Sequence, residues 1–154
     1  MTAAAFVLFS KNKDDIRLND LVGANLRMAL VSSAYTPNVT ATGHSLWSEV
    51  SANEISGTNG YTTGGVALTG AVAAVAGNDG AKLSSGNAAW TGTGAGISAF
   101  RYAVMYYNGT IWGLVNPLIG YILCDNTPAD IPITTPAVSP LTITCPGTGW
   151  FDLV

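Results

Sequence analysis

Residues 100–107, Phe-Arg-Tyr-Ala-Val-Met-Tyr-Tyr, constrain this chain more than any other stretch. Phe100, Tyr102, Val104 and Tyr106 share one phase of a period-two pattern; Arg101, Ala103, Met105 and Tyr107 share the other. That period sends alternate side chains to opposite faces of a strand. Large groups in both phases predict a strand that is central, or that lies between a core and an interface. Asn108-Gly109 follows at once. It is the dipeptide best suited to the positive φ angles of a two-residue hairpin, so a tight turn is expected there. Residues 111–115 begin the return, Pro117 interrupts it, and residues 118–124 resume as a nearly continuous apolar strand.

The same reasoning extends to the rest of the chain. In residues 26–31, Leu26, Met28 and Leu30 oppose Arg27, which predicts a half-buried strand. Residues 5–9 suit a first strand, and residues 11–21 a loop or short irregular helix. Leu46 and Val50 stand at helical spacing, and Ser51-Ala52-Asn53-Glu54 fits a capping box. Residues 66–76 read as one long strand, Gly77-Asn78-Asp79-Gly80 as a turn, and residues 82–90 as a weaker return strand. Residues 141–145 alternate again, Pro146-Gly147 turns the chain, and an apolar tail runs from Trp150. The expected fold is all-β: a β-sandwich or jelly-roll-like single domain over residues 1–154, with long ordered loops. Residues 1–25 are expected as an N-terminal arm or irregular segment, and the Pro-rich residues 125–140 as an extended connection.

Between the strands at 26–31 and 66–76 lies a long loop dense in Gly, Asn, Ser and Thr. Tyr35, Leu46, Trp47, Val50, Ile55 and Tyr61 punctuate it. Loops of this length are usually specialised or disordered; the regular anchors predict an ordered loop packed on a sheet. Three stretches here carry a resemblance: Ser32-Ser33-Ala34-Tyr35-Thr36-Pro37-Asn38, Leu46-Trp47-Ser48-Glu49-Val50-Ser51-Ala52-Asn53-Glu54 and Gly60-Tyr61-Thr62-Thr63-Gly64-Gly65. Together with Trp90, Arg101-Tyr102-Ala103-Val104-Met105-Tyr106 and Pro117-Leu118-Ile119-Gly120-Tyr121-Ile122, this pattern resembles small structural proteins of tailed bacteriophages. The resemblance covers residues 26–123. It implies a virion component and leaves open which one.

Charge bounds the partners. Charged residues are 10% of the 154, hydrophobic ones 48%, and the net charge is −3. Typical soluble domains carry about 25% charged residues, so partners are expected to cover much of this surface; Ser and Thr alone could also solvate it. Nucleic-acid binders display a basic patch. Here Lys11, Lys13 and Arg17 are interleaved with Asp14, Asp15 and Asp20, so no nucleic-acid partner is expected. No apolar run approaches the roughly 20 residues of a membrane-spanning helix. The leading apolar run lacks a basic flank, so no secretory signal is expected.

No stretch carries a chemical signature strong enough to name a catalytic, cofactor or metal residue. Gly92-Thr93-Gly94-Ala95-Gly96 resembles a phosphate loop only in composition, because no helix pattern follows it. His44 is the only histidine and sits in a polar loop without a nucleophile motif, which suits a solvated or loop-pinning role. Asp14-Asp15 and Asp125-Asn126 lack calcium-loop spacing. Asn38-Val39-Thr40 and Asn108-Gly109-Thr110 match a glycosylation pattern that matters only on a secreted chain. Cys124 and Cys145 form no CxxC pair; they are expected free, unless neighbouring strands bring them together. Trp47, Trp90, Trp112 and Trp150 are expected as core or interface anchors with bonded indole N–H groups, in preference to a glycan-stacking set. Glu49 and Glu54 sit too close in one loop to be assigned as a glycosidase pair.

These readings converge on a non-enzymatic virion protein made in the host cytoplasm. The expected role is capsid decoration, or cement, on the outer surface of the head. The expected partners are further copies of itself, most simply as a trimer, and the major capsid protein. The alternative is a tail or fibre component whose Trp and Tyr residues bind a host receptor.

Overall fold

The computed structural model describes residues 5–23, 25–75, 81–124 and 140–153. Every sheet in it is antiparallel, and its helices are 3-10 turns of three or four residues. The fold is all-β. The main sheet holds β1 (Val7–Leu8), β2 (Leu26–Val31), β3 (Val66–Ala67), β7 (Tyr102–Tyr107) and β10 (Leu118–Leu123), in the order β1-β10-β7-β2-β3. A second layer comprises β4 (Val72–Val75), β5 (Ala81–Ser84) and β12 (Phe151–Leu153), ordered β12-β5-β4, beside the pair β6 (Ala88–Trp90) and β11 (Leu141–Ile143). A small hairpin, β8 (Thr110–Ile111) and β9 (Leu114–Val115), stands apart.

β7 is the central strand that its composition requires. Ala103 and Met105 face one core, with Leu26, Met28, Leu30, Ile119 and Ile122 from the main sheet and Leu83, Trp90 and Phe151 from the second layer. Tyr102, Val104 and Tyr106 face another, with Ala29, Val31 and Leu118. The first core lies between sheets, as in a sandwich. Among the described residues no sheet covers the second; Tyr35, Trp47 and Val50 of the long loop do. This is why β2 is buried on both faces and not half-buried as expected. Phe100 also departs from its expected phase: it joins the inter-sheet core, whereas Tyr102 faces the loop. The strand begins only at Tyr102, so alternation does not yet hold at Phe100.

β10 carries a bulge. Leu118 pairs with Tyr106 and Gly120 with Met105, leaving Ile119 as the extra residue. A Cβ at Gly120 would fall on the Phe6 ring, so the bulge places a residue without a side chain where Phe6 crosses the sheet.

Several local expectations are corrected. Asn108-Gly109 does not make the tight turn. The Asn108 N–H donates to the Asn25 carbonyl at 2.8 Å, and Gly109 pairs with Asn116 as a rung of the small hairpin. The tip is Trp112-Gly113, with φ of 53° and 74°, as a type I′ turn demands. The Trp112 indole N–H donates to Asp20 at 2.9 Å and holds that tip down. An Asn-Gly turn does form at Asn59-Gly60, with φ of 54° and 93°, closed by a 3.1 Å bond from the Tyr61 N–H to the Thr58 carbonyl.

Residues 66–76 are not one strand. The chain leaves β2 after Leu68, turns through Gly70 at a φ of 63°, and joins the second layer as β4. Val75 pairs with Ala81, and the Gly77–Gly80 turn between them lies outside the described residues. β5 and β6 likewise enter different sheets. The N-terminal segment is irregular but is no free arm: Phe9, Ile16, Leu18 and Leu21 are buried. Trp150 and Phe151 close the protein's own core. The Pro-rich stretch lies outside the described residues, except Pro140.

Gly65 offers a sharp test of this layering. Its φ is 71°, and a Cβ would sit 2.0 Å from the Met28 carbonyl oxygen. Gly65→Ala should destabilise the protein by roughly 2–5 kcal/mol through αL strain and backbone collision, read as a lower midpoint in urea denaturation.

Candidate functional site

The long loop is the most specialised feature, and its attachment to the sheet can be traced residue by residue. The Trp47 indole lies flat on Tyr106, with centroids 4.5 Å apart and planes within 5°. Leu46 bridges to Pro117, and the Trp47 N–H donates to the Asn116 carbonyl at 2.8 Å, which fixes the indole over the sheet. The Tyr106 hydroxyl donates to the Gly64 carbonyl at 2.8 Å. Arg27 donates from Nε to that same carbonyl at 2.8 Å and from Nη2 to the Gly65 carbonyl at 2.7 Å. Arg27 is thus the clamp on the end of the loop.

Glu54 completes this attachment. Its Oε1 accepts from the Tyr61 hydroxyl and the Gly64 N–H, both at 2.6 Å. The Tyr61 oxygen in turn accepts from the Leu30 N–H at 3.0 Å. Burial, reinforced by the bond to Glu54, pushes the Tyr61 hydroxyl well above the ordinary tyrosine range. The expected capping box at residues 51–54 therefore does not form, because the Glu54 carboxylate is committed elsewhere. The capping carboxylate is Glu49, whose Oε2 accepts from the Ser45 and Leu46 N–H groups, each at 2.7 Å. Burial alone would raise Glu49; those two bonds, with Lys11 and His44 nearby, lower it overall.

His44 pins the loop. Its Nδ1 is hydrogen-bonded to the Tyr35 hydroxyl at 2.9 Å and lies 3.3 Å from the Asn38 N–H. Asn12 plays a part that its sequence setting hides. It sits among charged residues yet is buried, and its Nδ2 donates to the Ser45 carbonyl at 2.7 Å and the Leu118 carbonyl at 2.8 Å. The only hint in the sequence is its place just after buried Phe9.

The loop presents a neutral surface. Ser56, Thr58, Asn59, Thr62 and Thr63 are exposed, and so are Thr91 and Thr93 of the neighbouring turn. The two segments join where the Thr93 N–H donates to the Asn59 carbonyl at 2.9 Å. Residues 56–63 and 91–95 contain no charged side chain. Within the Gly-rich stretch at 92–96, Thr93, Gly94 and Ala95 are exposed on this face, and the chain that follows toward β7 is not helical. The exposed charges of Lys11, Lys13, Asp14, Asp15, Arg17 and Asp20 belong instead to the N-terminal segment.

The four tryptophans do not come together. Trp47, Trp90 and Trp150 are buried, and Trp112 is half-buried. The Trp150 N–H donates to the Ser85 hydroxyl at 2.7 Å, but the Trp90 N–H is buried without a partner, against expectation. Cys124 and Cys145 are both free thiols. Burial pushes the Cys124 thiol up to about 12. Asp125-Asn126 lies outside the described residues. Among the described residues no group of three or more His, Cys, Asp or Glu side chains converges on a metal position, and no helix is long and apolar enough to cross a membrane. Comparison of the chain with protein-family models, curated proteins and solved structures finds no match in any of the three.

Three measurements check this geometry. Trp47→Ala should cost about 3–5 kcal/mol, as expected for a buried indole, in chemical denaturation. Tyr35 and Tyr61 are both raised, chiefly by burial. Their contribution to stability is therefore complete below the unfolded tyrosine value of about 10 and is lost as pH rises above it. Tyrosinate absorbance from these two residues should appear only together with alkaline unfolding. A thiol reagent at neutral pH should label Cys145 in the folded protein and leave Cys124 unlabelled until denaturant is added.

Proposed function

We propose that this chain is a non-enzymatic structural protein of a tailed-phage virion, a decoration or cement protein on the outer surface of the head. It acts as a homo-oligomer, most simply a trimer, that bridges neighbouring major capsid subunits. The observation that carries this reading is the uncharged Ser, Thr, Asn and Gly face, held rigid by the Arg27, Glu54, Tyr61 and Trp47 attachments. A pre-ordered face loses little conformational entropy on docking. Its hydroxyl and amide groups suit contacts that depend on hydrogen bonding and shape. The resemblance to phage structural proteins supports the same reading, as does the low overall charge.

A protein that binds the assembled shell and not its free subunits stabilises the shell by mass action. Receptor binding by a tail component is the weaker alternative, since three of the four tryptophans are buried and the fourth is half-buried against Asp20.

Particles assembled with the protein should resist heat better than particles without it, and binding should weaken little as salt rises, because few charge pairs are available to be screened. Equal thermal stability of the two kinds of particle, with adsorption lost when the protein is missing, would overturn the cement reading in favour of the tail. In sedimentation the purified protein should run as an oligomer well above its 15.8 kDa chain mass.

A further inference from the structure

The chain contains two Asn-Gly pairs, Asn59-Gly60 and Asn108-Gly109. Such a pair is open to spontaneous loss of the asparagine amide, because a glycine backbone nitrogen approaches the preceding side-chain carbonyl with no Cβ in its way. Both asparagines are exposed, so exposure does not separate them. What separates them is the state of the nitrogen that would attack.

At Asn108-Gly109 that nitrogen is engaged. The Gly109 N–H donates to Asn116 Oδ1 at 2.8 Å, the Asn116 N–H donates back to the Gly109 carbonyl at 2.7 Å, and the Asn108 N–H donates to the Asn25 carbonyl at 2.8 Å. Turning the Gly109 nitrogen toward the Asn108 side chain breaks this set. At Asn59-Gly60 the Gly60 N–H has no acceptor among the described residues, and the Asn59 side-chain amide has no hydrogen-bond partner there either. The turn is held by the 3.1 Å bond from the Tyr61 N–H to the Thr58 carbonyl and the 2.9 Å bond from the Thr93 N–H to the Asn59 carbonyl. A Cβ on Gly94 would crowd Asn59 Oδ1 at 3.3 Å; its absence leaves the amide room to turn. Opening an exposed turn of this kind costs little compared with opening the core.

We propose that Asn59 is a modification site, at which the Gly60 nitrogen displaces the side-chain amide and the uncharged loop face acquires a carboxylate, while Asn108 is protected. The Gly60 nitrogen bonds to Asn59 Cγ, the Cγ–Nδ2 bond breaks, and the proton of the Gly60 N–H leaves with the amide nitrogen as ammonia. Water then opens the resulting succinimide at one of its two carbonyls, which gives aspartate or, with the backbone routed through Cγ, isoaspartate. Either product is ionised at neutral pH, among residues 56–63 and 91–95 that carry no charge of their own. Isoaspartate also turns the Asn59 main-chain carbonyl, the acceptor for Thr93, into part of a free carboxylate, and so loosens the bond that joins the two segments of the face. None of this depends on the shell-binding reading.

The test incubates the full-length protein at mildly alkaline pH, folded and in urea, and follows both peptides by mass spectrometry; conversion makes a peptide heavier by the difference between water and ammonia. In the folded protein the peptide holding Asn59 should convert at least about tenfold faster than the one holding Asn108, the factor that one hydrogen bond on the attacking nitrogen supplies. In urea the two should convert at similar rates. Asn59→Gly suits the φ of 54° and removes the amide; it should abolish the fast conversion and leave the urea midpoint near that of the wild type. Asn116→Gly likewise suits its φ of 50° and frees the Gly109 nitrogen, so Asn108 should then convert at a rate approaching that of Asn59. Equal rates at the two pairs in the folded wild type, faster conversion at Asn108, or conversion of Asn59 confined to urea would each overturn the proposal.

Discussion

The structure depends on burial of both faces of β7. A strand with Tyr102, Val104 and Tyr106 on one side and Ala103 and Met105 on the other cannot leave either side in water without exposing several large apolar groups. One side is covered in the usual manner, by a second sheet. The other is covered by a loop, which has few ladder partners for its own polar backbone. Covering a sheet with a loop shifts the difficulty from apolar surface to unpaired N–H and C=O groups.

Side chains resolve that difficulty. Arg27 and Tyr106 reach out of the sheet to the Gly64 and Gly65 carbonyls, Asn12 reaches the Ser45 and Leu118 carbonyls, and Glu49 and Glu54 accept loop N–H groups. Three of the chain's few charged residues, Arg27, Glu49 and Glu54, are thus engaged inside the molecule's own architecture. Among the described residues the other exposed charges lie in the N-terminal segment and at Asp152, and the loop face beside residues 91–95 is left neutral. The low charge of the sequence and the character of the proposed docking face therefore share one physical origin.

The two margins of the sandwich differ for a related reason. At the β3 margin the chain itself returns: the Leu68 N–H donates to the Leu26 carbonyl, and Gly65 packs against the Met28 carbonyl. At the β1 margin no comparable return occurs among the described residues, and Phe6 alone spans the layers to Phe151.

Period-two patterning at Leu26–Val31 and Tyr102–Tyr107 was enough to determine an all-β protein with β7 at its centre, because alternation is a local property of the backbone. The anchors Tyr35, Leu46, Trp47, Val50, Ile55 and Tyr61 likewise pointed to an ordered loop, and all are buried except Leu46, which is half-buried. What the sequence could not determine depends on distant partners. Asn108-Gly109 has the right chemistry for a hairpin tip, yet Asn25 and Asn116 take its polar groups and move the tip to Trp112-Gly113. The Glu54 carboxylate fits a local cap, yet Tyr61 and Gly64 offer it better-placed donors. Asn12 looks solvated until the fold places two buried carbonyls beside it. Local sequence set the period and the turns available; competition among partners far apart in the chain decided which hydrogen bonds formed, and through them where the neutral face lies.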